Sequence, residues 1–377
     1  MKKIVMVRSN GIDPDSRVEK EANSLVKAGY EVSVLAWDRT RNYKIKIDNK
    51  KLADSCVKRI SFGSKAGFGA GYKSLGAYLI FQFRMNGWLI KNRKQYDYVH
   101  LCDLDTAIIS SYVCKILKKE FVFDIFDYLS TDAESVFEKL LEFFENHSIN
   151  MADAVIICTE KRKQQIRKAS PQKLAVIHNS PDYITLEPKR NQHDSKIRIV
   201  YVGILQPYRF IEELLQIVAR NNDMELHIGG FGILEDMIKG MSMKHDNILY
   251  YGKLDYKDTL NLENKCDIIT ALYDPAIGNH KYAAPNKFYE ALMLGKPLIM
   301  IKGSGMSEIV AANDIGVVVE PNEVSIENGL KELISARGKW KKIALTEKKL
   351  YAAKYSWEIM EKRLLGLYKE LENKEYD

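Results

Sequence analysis

Short apolar runs bounded by turn residues recur along the chain, each followed by a longer stretch in which apolar positions return every three or four residues. Runs at 4–7, 30–37, 57–62, 98–102, 121–126, 154–158 and 174–178 read as strands in the first half, and runs at 197–202, 225–231, 247–252, 267–273, 298–301 and 316–320 in the second. The intervening stretches read as helices. That over 16–28 opens with Ser16-x-x-Glu19, a capping box, and Gly29 stops it. Strands apolar on both faces, alternating with helices, predict parallel sheets covered on both sides. Ligands of such sheets sit outside the carboxyl ends of the strands.

Periodicity lapses once, between 179 and 196, through S-P-D-Y and E-P-K-R-N-Q-H-D-S-K. A polar interruption of that kind marks an interdomain linker, and 377 residues is long for one core. Two α/β domains are expected.

The stretch A-P-N-K-F-Y-E-A-L-M-L-G-K-P-L-I-M-I-K, 284–302, predicts a short helix feeding a buried strand. Pro285 suits a first helical turn, Phe288, Ala291, Leu292 and Leu294 form an apolar stripe, and Gly295-Lys296-Pro297 ends the helix. Lys287 falls in the first turn, where the helix dipole disfavours a cation, and Glu290 lies a turn further on. A phosphate at the helix N-terminus would take the free amides and offset the lysine, an effect of roughly 0.3–2 kcal/mol per charge. The alternative is that both residues are solvated surface groups.

The wording P-N-K-F-Y-E-A-L-M-L-G-K-P, then G-S-G-M-S-E-I-V and G-V-V-V-E-P-N, resembles the nucleotide-sugar half of the retaining glycosyltransferases of family 4 (glycosyl transferases group 1), which have the GT-B fold. The resemblance implies two Rossmann-like domains with parallel sheets facing a central cleft: an acceptor-side domain over 1–180, a linker over 181–196, and a nucleotide-sugar domain over 197–355. A terminal helix, 356–377, would return to the first domain. In such proteins the glutamate at the place of Glu290 binds the donor ribose, and the amides before it, at Asn286 and Lys287, hold the diphosphate and sugar. The usual partner glutamate eight residues earlier is Tyr282 here.

The segment Y-V-G-I-L-Q-P-Y-R-F resembles the family's G-R-L…K-G stretch, whose two cations grip the donor diphosphate. On that resemblance Gly203 lets backbone approach phosphate, Arg209 stands at the second cation's place, and Lys287 substitutes for the first, which is Ile204. Gly230 in G-G-F-G marks the turn near the nucleobase. The amides of Ser304 and Gly305 face the same cleft, and Asn279 and His280 could meet the sugar.

In the first half, Gly11 resembles the glycine that lies against donor phosphate and acceptor, with an ordinary turn as the alternative. Y-D-Y-V-H-L-C-D-L-D-T-A resembles the strand and loop that present a histidine and an aspartate, His100 and Asp103. Where many relatives read D-x-H-E, F-V-F-D-I-F-D-Y-L puts Phe126 at the histidine's place and Asp127 at the acidic one. Burial at a strand end tends to raise a carboxylate's pKa. Asp124 and Asp127, which follow a buried strand, are acceptor-side candidates on that ground, and Asp103 is one on the resemblance. Asp127 is the first candidate for taking or positioning the acceptor's proton, and His100 the second catalytic candidate. A loop or cap carboxylate and a hydrogen-bonded strand-end histidine are the alternatives.

Composition changes the picture in one place. The chain has 57 Lys+Arg against 50 Asp+Glu, and residues 55–96 hold no acid at all. The helix expected near 75–92 carries Tyr78, Leu79, Phe81, Phe83, Trp88 and Leu89 beside Lys73, Arg84 and Lys91. Such a helix either lies on an anionic membrane or packs on the sheet with a basic outer face. Five cysteines without metal-ligand spacing, no signal peptide and no membrane-length apolar run point to a cytoplasmic chain, peripheral on the inner membrane face if the first of those holds.

No D-x-D motif stands out as a donor metal site, so metal-independent transfer without a cofactor beyond the nucleotide-sugar is expected, and no nucleic-acid partner. The resemblance implies transfer with retention to a saccharide or polyprenyl-linked saccharide in capsule, lipopolysaccharide or related polysaccharide assembly. An epimerase of the same architecture and a non-catalytic nucleotide-sugar-binding protein are the alternatives.

Overall fold

A computed structural model describes residues 1–67, 74–128, 135–182, 186 and 196–374. Lys73, residues 68–72 of the acid-free stretch, and most of the expected linker lie outside the described residues. The chain divides into two units, Met1–His178 with Met360–Asp377, and Asn179–Ile359.

In the first unit, β1 (Lys3–Arg8) leads through a loop to α1 (Ser16–Lys27), and β2 (Glu31–Asp38), β3 (Tyr43–Lys51) and β4 (Cys56–Gly63) follow. Then come α2 (Leu75–Lys91), β5 (Tyr98–Cys102), α3 (Leu104–Ile116), β6 (Glu120–Ile125), α4 (Val136–Met151), β7 (Ala154–Ile157) and β8 (Leu174–Val176). The sheet order is β3-β4-β2-β1-β5-β6-β7-β8, parallel except for β3. All of β5 and β7 is buried, as strands covered on both faces require.

β3 has no counterpart among the expected strands. Its sequence, YKIKIDNKK, is mostly exposed and pairs antiparallel at the sheet's edge, where lysines keep other chains from adding on. The N-cap of α1 also lies one residue earlier than expected. Asp15 is the N-cap, accepting from the Val18 amide, and Glu19 reaches back to the Asp15 amide.

The second unit runs β9 (Ile197–Ile204), α5 (Ile211–Ala219), β10 (Met224–Phe231), α6 (Glu235–Lys244), β11 (Ile248–Tyr250), α7 (Tyr256–Lys265) and β12 (Ile268–Ala271). It continues with α8 (Asn286–Leu294), β13 (Leu298–Ile301), α9 (Ser307–Asn313), β14 (Gly316–Val319), α10 (Glu323–Ser335) and α11 (Trp340–Leu350). Its sheet, β11-β10-β9-β12-β13-β14, is parallel throughout. The final helix, α12 (Trp357–Lys374), buries Met360, Leu364, Leu367, Tyr368 and Leu371, and from Met360 onward it is part of the first unit.

Each sheet reverses its order beside its first strand, between β1 and β5 and between β9 and β12. Ligands of doubly wound sheets bind at such a reversal, outside the strands' carboxyl ends. The candidate residues gather there. Among the described residues no helix is long and apolar enough to cross a membrane.

Candidate functional site

In the second unit the site is built on α8, and Pro285 is its N-cap rather than part of its first turn. Every residue from Lys287 to Leu294 is buried, so the reading of Lys287 and Glu290 as solvated groups is overturned: they are 6% and 3% exposed. Phe288 meets Tyr289 and Tyr355 edge-on, which fixes the helix against the core. Gly295, at φ 68°, ends it.

Lys287 Nζ lies 4.5 Å from the centre of the Tyr201 ring, and a Cβ on Gly203 would come 2.9 Å from that nitrogen. Glycine at 203 is what opens the end of β9 to the lysine. Nζ has no hydrogen-bond or ion-pair partner among the described residues. Burial works against its charge, but Tyr273, Tyr201, Glu290 and Glu263 outweigh burial and hold its pKa above the ordinary lysine value.

Arg209 supplies the second cation. Its guanidinium stacks 3.7 Å from the centre of the Tyr273 ring, and its Nη1 is buried with no hydrogen-bond partner among the described residues. A buried guanidinium nitrogen left unpaired costs free energy until an acceptor arrives. The residues on either side, Tyr208 and Phe210, are left-handed, at φ 65° and 52°. Strain of that kind, on the order of 1–3 kcal/mol per residue, persists where the surroundings impose it.

Glu290 faces Tyr256 and Glu263 from the neighbouring α7. Glu263 is fully buried and has no conventional hydrogen-bond partner among the described residues. Burial, then the Glu290 charge, push its carboxyl well above the usual range. Asn286 accepts from Asn179 at 2.9 Å. His280 packs edge-on against Tyr273 with Nδ1 2.8 Å from the Asp274 carbonyl, so its orientation is set by its own loop.

Three expected donor contacts have other duties. The Ser304 amide donates to the Ile301 carbonyl and the Gly305 amide to that of His280, so neither is free for a phosphate. The chain turns tightly there, and a Cβ on Gly305 would come 1.8 Å from the Ala283 oxygen. At Gly230 a Cβ would come 1.8 Å from the Gly203 oxygen, so that glycine serves the close approach of β9 and β10.

In the first unit, Arg17, Glu21, His100, Asp124 and Tyr368 form a buried network. Arg17 holds Asp124 with Nη2 at 2.6 Å and Nε at 3.3 Å, and donates to the Ile177 carbonyl at 2.9 Å. His100 has Nδ1 2.9 Å from the Tyr368 hydroxyl and Nε2 3.3 Å from Asp124. His100 and Asp124 are fully buried with their polar atoms engaged, so both belong to the core and not to a surface that a substrate reaches. Burial tends to raise the Asp124 pKa, as expected from sequence, but Arg17 and His100 overcome it and hold the carboxyl below its usual value. His100, Cys102 and Asp124 lie close enough to hold a cation, yet Arg17 already occupies the carboxylate.

Asp103 is left-handed at φ 66° and spans two partners. One oxygen accepts the Phe126 and Asp127 amides and the other pairs with Arg8. Burial, opposed by Arg8 and assisted by Asp105 and Asp127, pushes its carboxyl up to about 6. Asp105 completes a D-x-D spacing with it, and both carboxylates face Arg8. Asp127 is the exposed member, its side chain 63% accessible and 3.0 Å from Arg162. Gly11 has open space where a Cβ would stand, and its carbonyl accepts from Arg59.

Sequence reasoning missed Tyr201, Tyr273 and Glu263. The tyrosines had a faint signal, being aromatic residues in or just beyond strands otherwise aliphatic. Glu263 had none, since a glutamate on a polar helix reads as surface.

Two Rossmann-like units of this strand order define a GT-B protein, and solved structures agree. A sucrose-phosphate synthase from Thermosynechococcus elongatus superposes with a TM-score of 0.76 at 15% identity, over 98% of this chain and 99% of that one. Anabaena HepE, solved in complex with UDP and glucose, gives 0.72 at 14% identity, over 98% and 100%. The family described as Glycosyltransferase Family 4 matches residues 16–183 and that described as Glycosyl transferases group 1 matches 183–349. Between them the two cover most of the chain, so on a GT-B fold its first half is similar to the one family and its second half to the group 1 glycosyltransferases. A relative, "Uncharacterized glycosyltransferase MJ1607" of Methanocaldococcus jannaschii, is 28% identical over 189 residues, 47% of this chain and 46% of its own length. The match thus spans about half of that relative.

Proposed function

We propose that the chain is a retaining hexosyltransferase of the family 4 kind, moving a sugar from a nucleoside diphosphate donor to a saccharide or lipid-linked saccharide in cell-surface polysaccharide assembly. The observation that carries this is the pair of cations at the reversal of the second sheet: Arg209, whose buried Nη1 has no hydrogen-bond partner among the described residues, and Lys287, buried in the first turn of α8 against the Tyr201 ring. Both stand where a diphosphate would meet the amino end of a helix. That HepE was solved with UDP and glucose supports the choice of donor.

As the bond to the sugar breaks, negative charge grows on the departing diphosphate. Arg209 and Lys287 are held by tyrosine rings before any substrate arrives, so they stabilise that charge with little reorganisation. Glu290, kept in place by Tyr256 and Glu263, takes the ribose hydroxyls. Of the acceptor-side carboxylates Asp127 is the exposed one, and it takes or positions the acceptor's proton. The acid-free stretch 55–96 supports an anionic or lipid-linked acceptor.

The test is turnover. Purified protein with a matched donor should release nucleoside diphosphate only when acceptor is added, and Asp127→Asn should abolish release while leaving donor affinity unchanged. Conversion of the donor into an isomerised nucleotide-sugar without any acceptor would point to an epimerase instead.

A further inference from the structure

The helix α2 carries apolar residues on its outer side as well as on the side that enters the core. Its inner face holds Phe81, Gln82, Met85, Asn86 and Leu89, and its outer face holds Leu75, Leu79, Ile80, Phe83 and Ile90, with Phe83 83% exposed. The basic outer face considered from sequence is not what the helix presents, because Arg84 turns in to donate to the carbonyls of Tyr43 and Gly63. The inward amides tie into the fold: Gln82 donates to the Asp105 carbonyl and Asn86 to that of Gln82. Core residues therefore fix the orientation, and the stripe outside stays exposed among the described residues.

The apolar surface continues across two more helices. Tyr78 donates to the Asp105 carbonyl and Ser110 to Met85 Sδ, tying α2 to α3. His147 stacks between Tyr112 and Phe143, with centroids 5.5 and 5.8 Å away, tying α3 to α4. Outward from this layer stand Ile109 and Ile116 of α3 and Val136, Leu140 and Phe143 of α4, all exposed. An apolar face of this extent marks an interaction site.

Charge selects the partner. Lys91, Arg93, Lys94 and Lys118 are exposed at the carboxyl ends of α2 and α3, and Lys119 donates to the Tyr96 carbonyl, holding those two ends together. Among the described residues Glu138 is held in the cap of α4, Glu142 pairs with Lys168, and Asp153 pairs with Lys115. Apolar side chains flanked by unopposed cations match the interface of an anionic bilayer, with acyl chains for the former and headgroup phosphates for the latter.

We propose that the outer face of α2, α3 and α4 docks on an anionic membrane, seating Phe83 and Phe143 among the acyl chains while the cations at the helix ends meet lipid phosphates. This locates the lipid contact on a three-helix surface and does not depend on the transfer reaction.

The experiment is flotation of the full chain with phosphatidylcholine vesicles, with and without phosphatidylglycerol. Binding should need the anionic lipid and weaken with salt, while the apolar part persists. Phe83→Ser combined with Phe143→Ser should lower partitioning about tenfold or more without lowering the melting temperature. Leu345→Ser, an exposed site on α11, should change nothing, and transfer to a soluble acceptor should survive the double variant. Three results would overturn the proposal: no binding to anionic vesicles at low ionic strength, a double variant that floats like the native chain, or a native dimer that the double variant dissolves into monomers with vesicle binding unaltered.

Discussion

Arg8 lies with its guanidinium carbon 4.4 Å from the centre of the Phe126 ring, and Arg17 lies 4.6 Å from the same ring. The position where many relatives carry a histidine is thus an aromatic ring shared by two cations. A histidine there would face two guanidiniums and resist protonation. Phe126→His should destabilise the chain by about 1–2 kcal/mol through the lost cation–π contacts, more at acidic than at neutral pH. Thermal melts at two pH values check this, and a variant more stable in acid would count against the arrangement.

Arg17 is the main cation facing the buried carboxylates of Asp124 and Glu21. Arg17→Met leaves those acids in the core without their partner and should cost on the order of 3–5 kcal/mol. Chemical denaturation followed by circular dichroism reads the loss directly.

Asp103 gives a pH dependence with a definite sign. Its carboxyl is pushed up to about 6 in the fold, above the roughly 3.9 of an unfolded chain, so folding takes up a proton between those values. Its contribution to stability is full below the unfolded value, falls as pH rises, and levels off above about 6. In Asp103→Asn that decline should disappear from the pH profile of the unfolding free energy.

How far the sequence could be read follows from which signals were local. The strands β9, β10 and β13 and the helix α8 were legible because apolar periodicity and a stop at Gly295 are local features. β3 was not, since a strand of lysines at an edge lacks the apolar run that marks a buried one. For α2 both a membrane face and a sheet-packed face stayed open, because the helix carries apolar residues on both sides and composition could not say which side faced the sheet. Arg17 and Glu263 read as surface charges, and only the tertiary packing shows them enclosed. Among the candidates, the chemistry nearest α8 was legible from residue types, whereas the amides of Ser304 and Gly305 were spent on carbonyls that no sequence pattern reveals.

Glu263 should behave as a neutral acid at rest, because burial and Glu290 both resist its ionisation. Glu263→Gln should therefore leave the melting temperature near the native value at neutral pH. Glu263→Ala opens a cavity beside Glu290 and should lower it by about 1–3 kcal/mol equivalent. A glutamine variant as damaged as the alanine one would show that the charge is needed.

The central claim is that a diphosphate is held by Arg209 and Lys287 at the amino end of α8. Calorimetric titration with a panel of nucleoside diphosphate sugars tests it most directly, comparing the native chain with Arg209→Ala, Lys287→Ala and Glu290→Ala. Native protein should bind at least one donor, and each substitution should weaken that binding about tenfold or more, the loss of a charge-assisted contact. A native chain that binds no such donor, or Arg209→Ala and Lys287→Ala variants that bind as the native chain does, would contradict it.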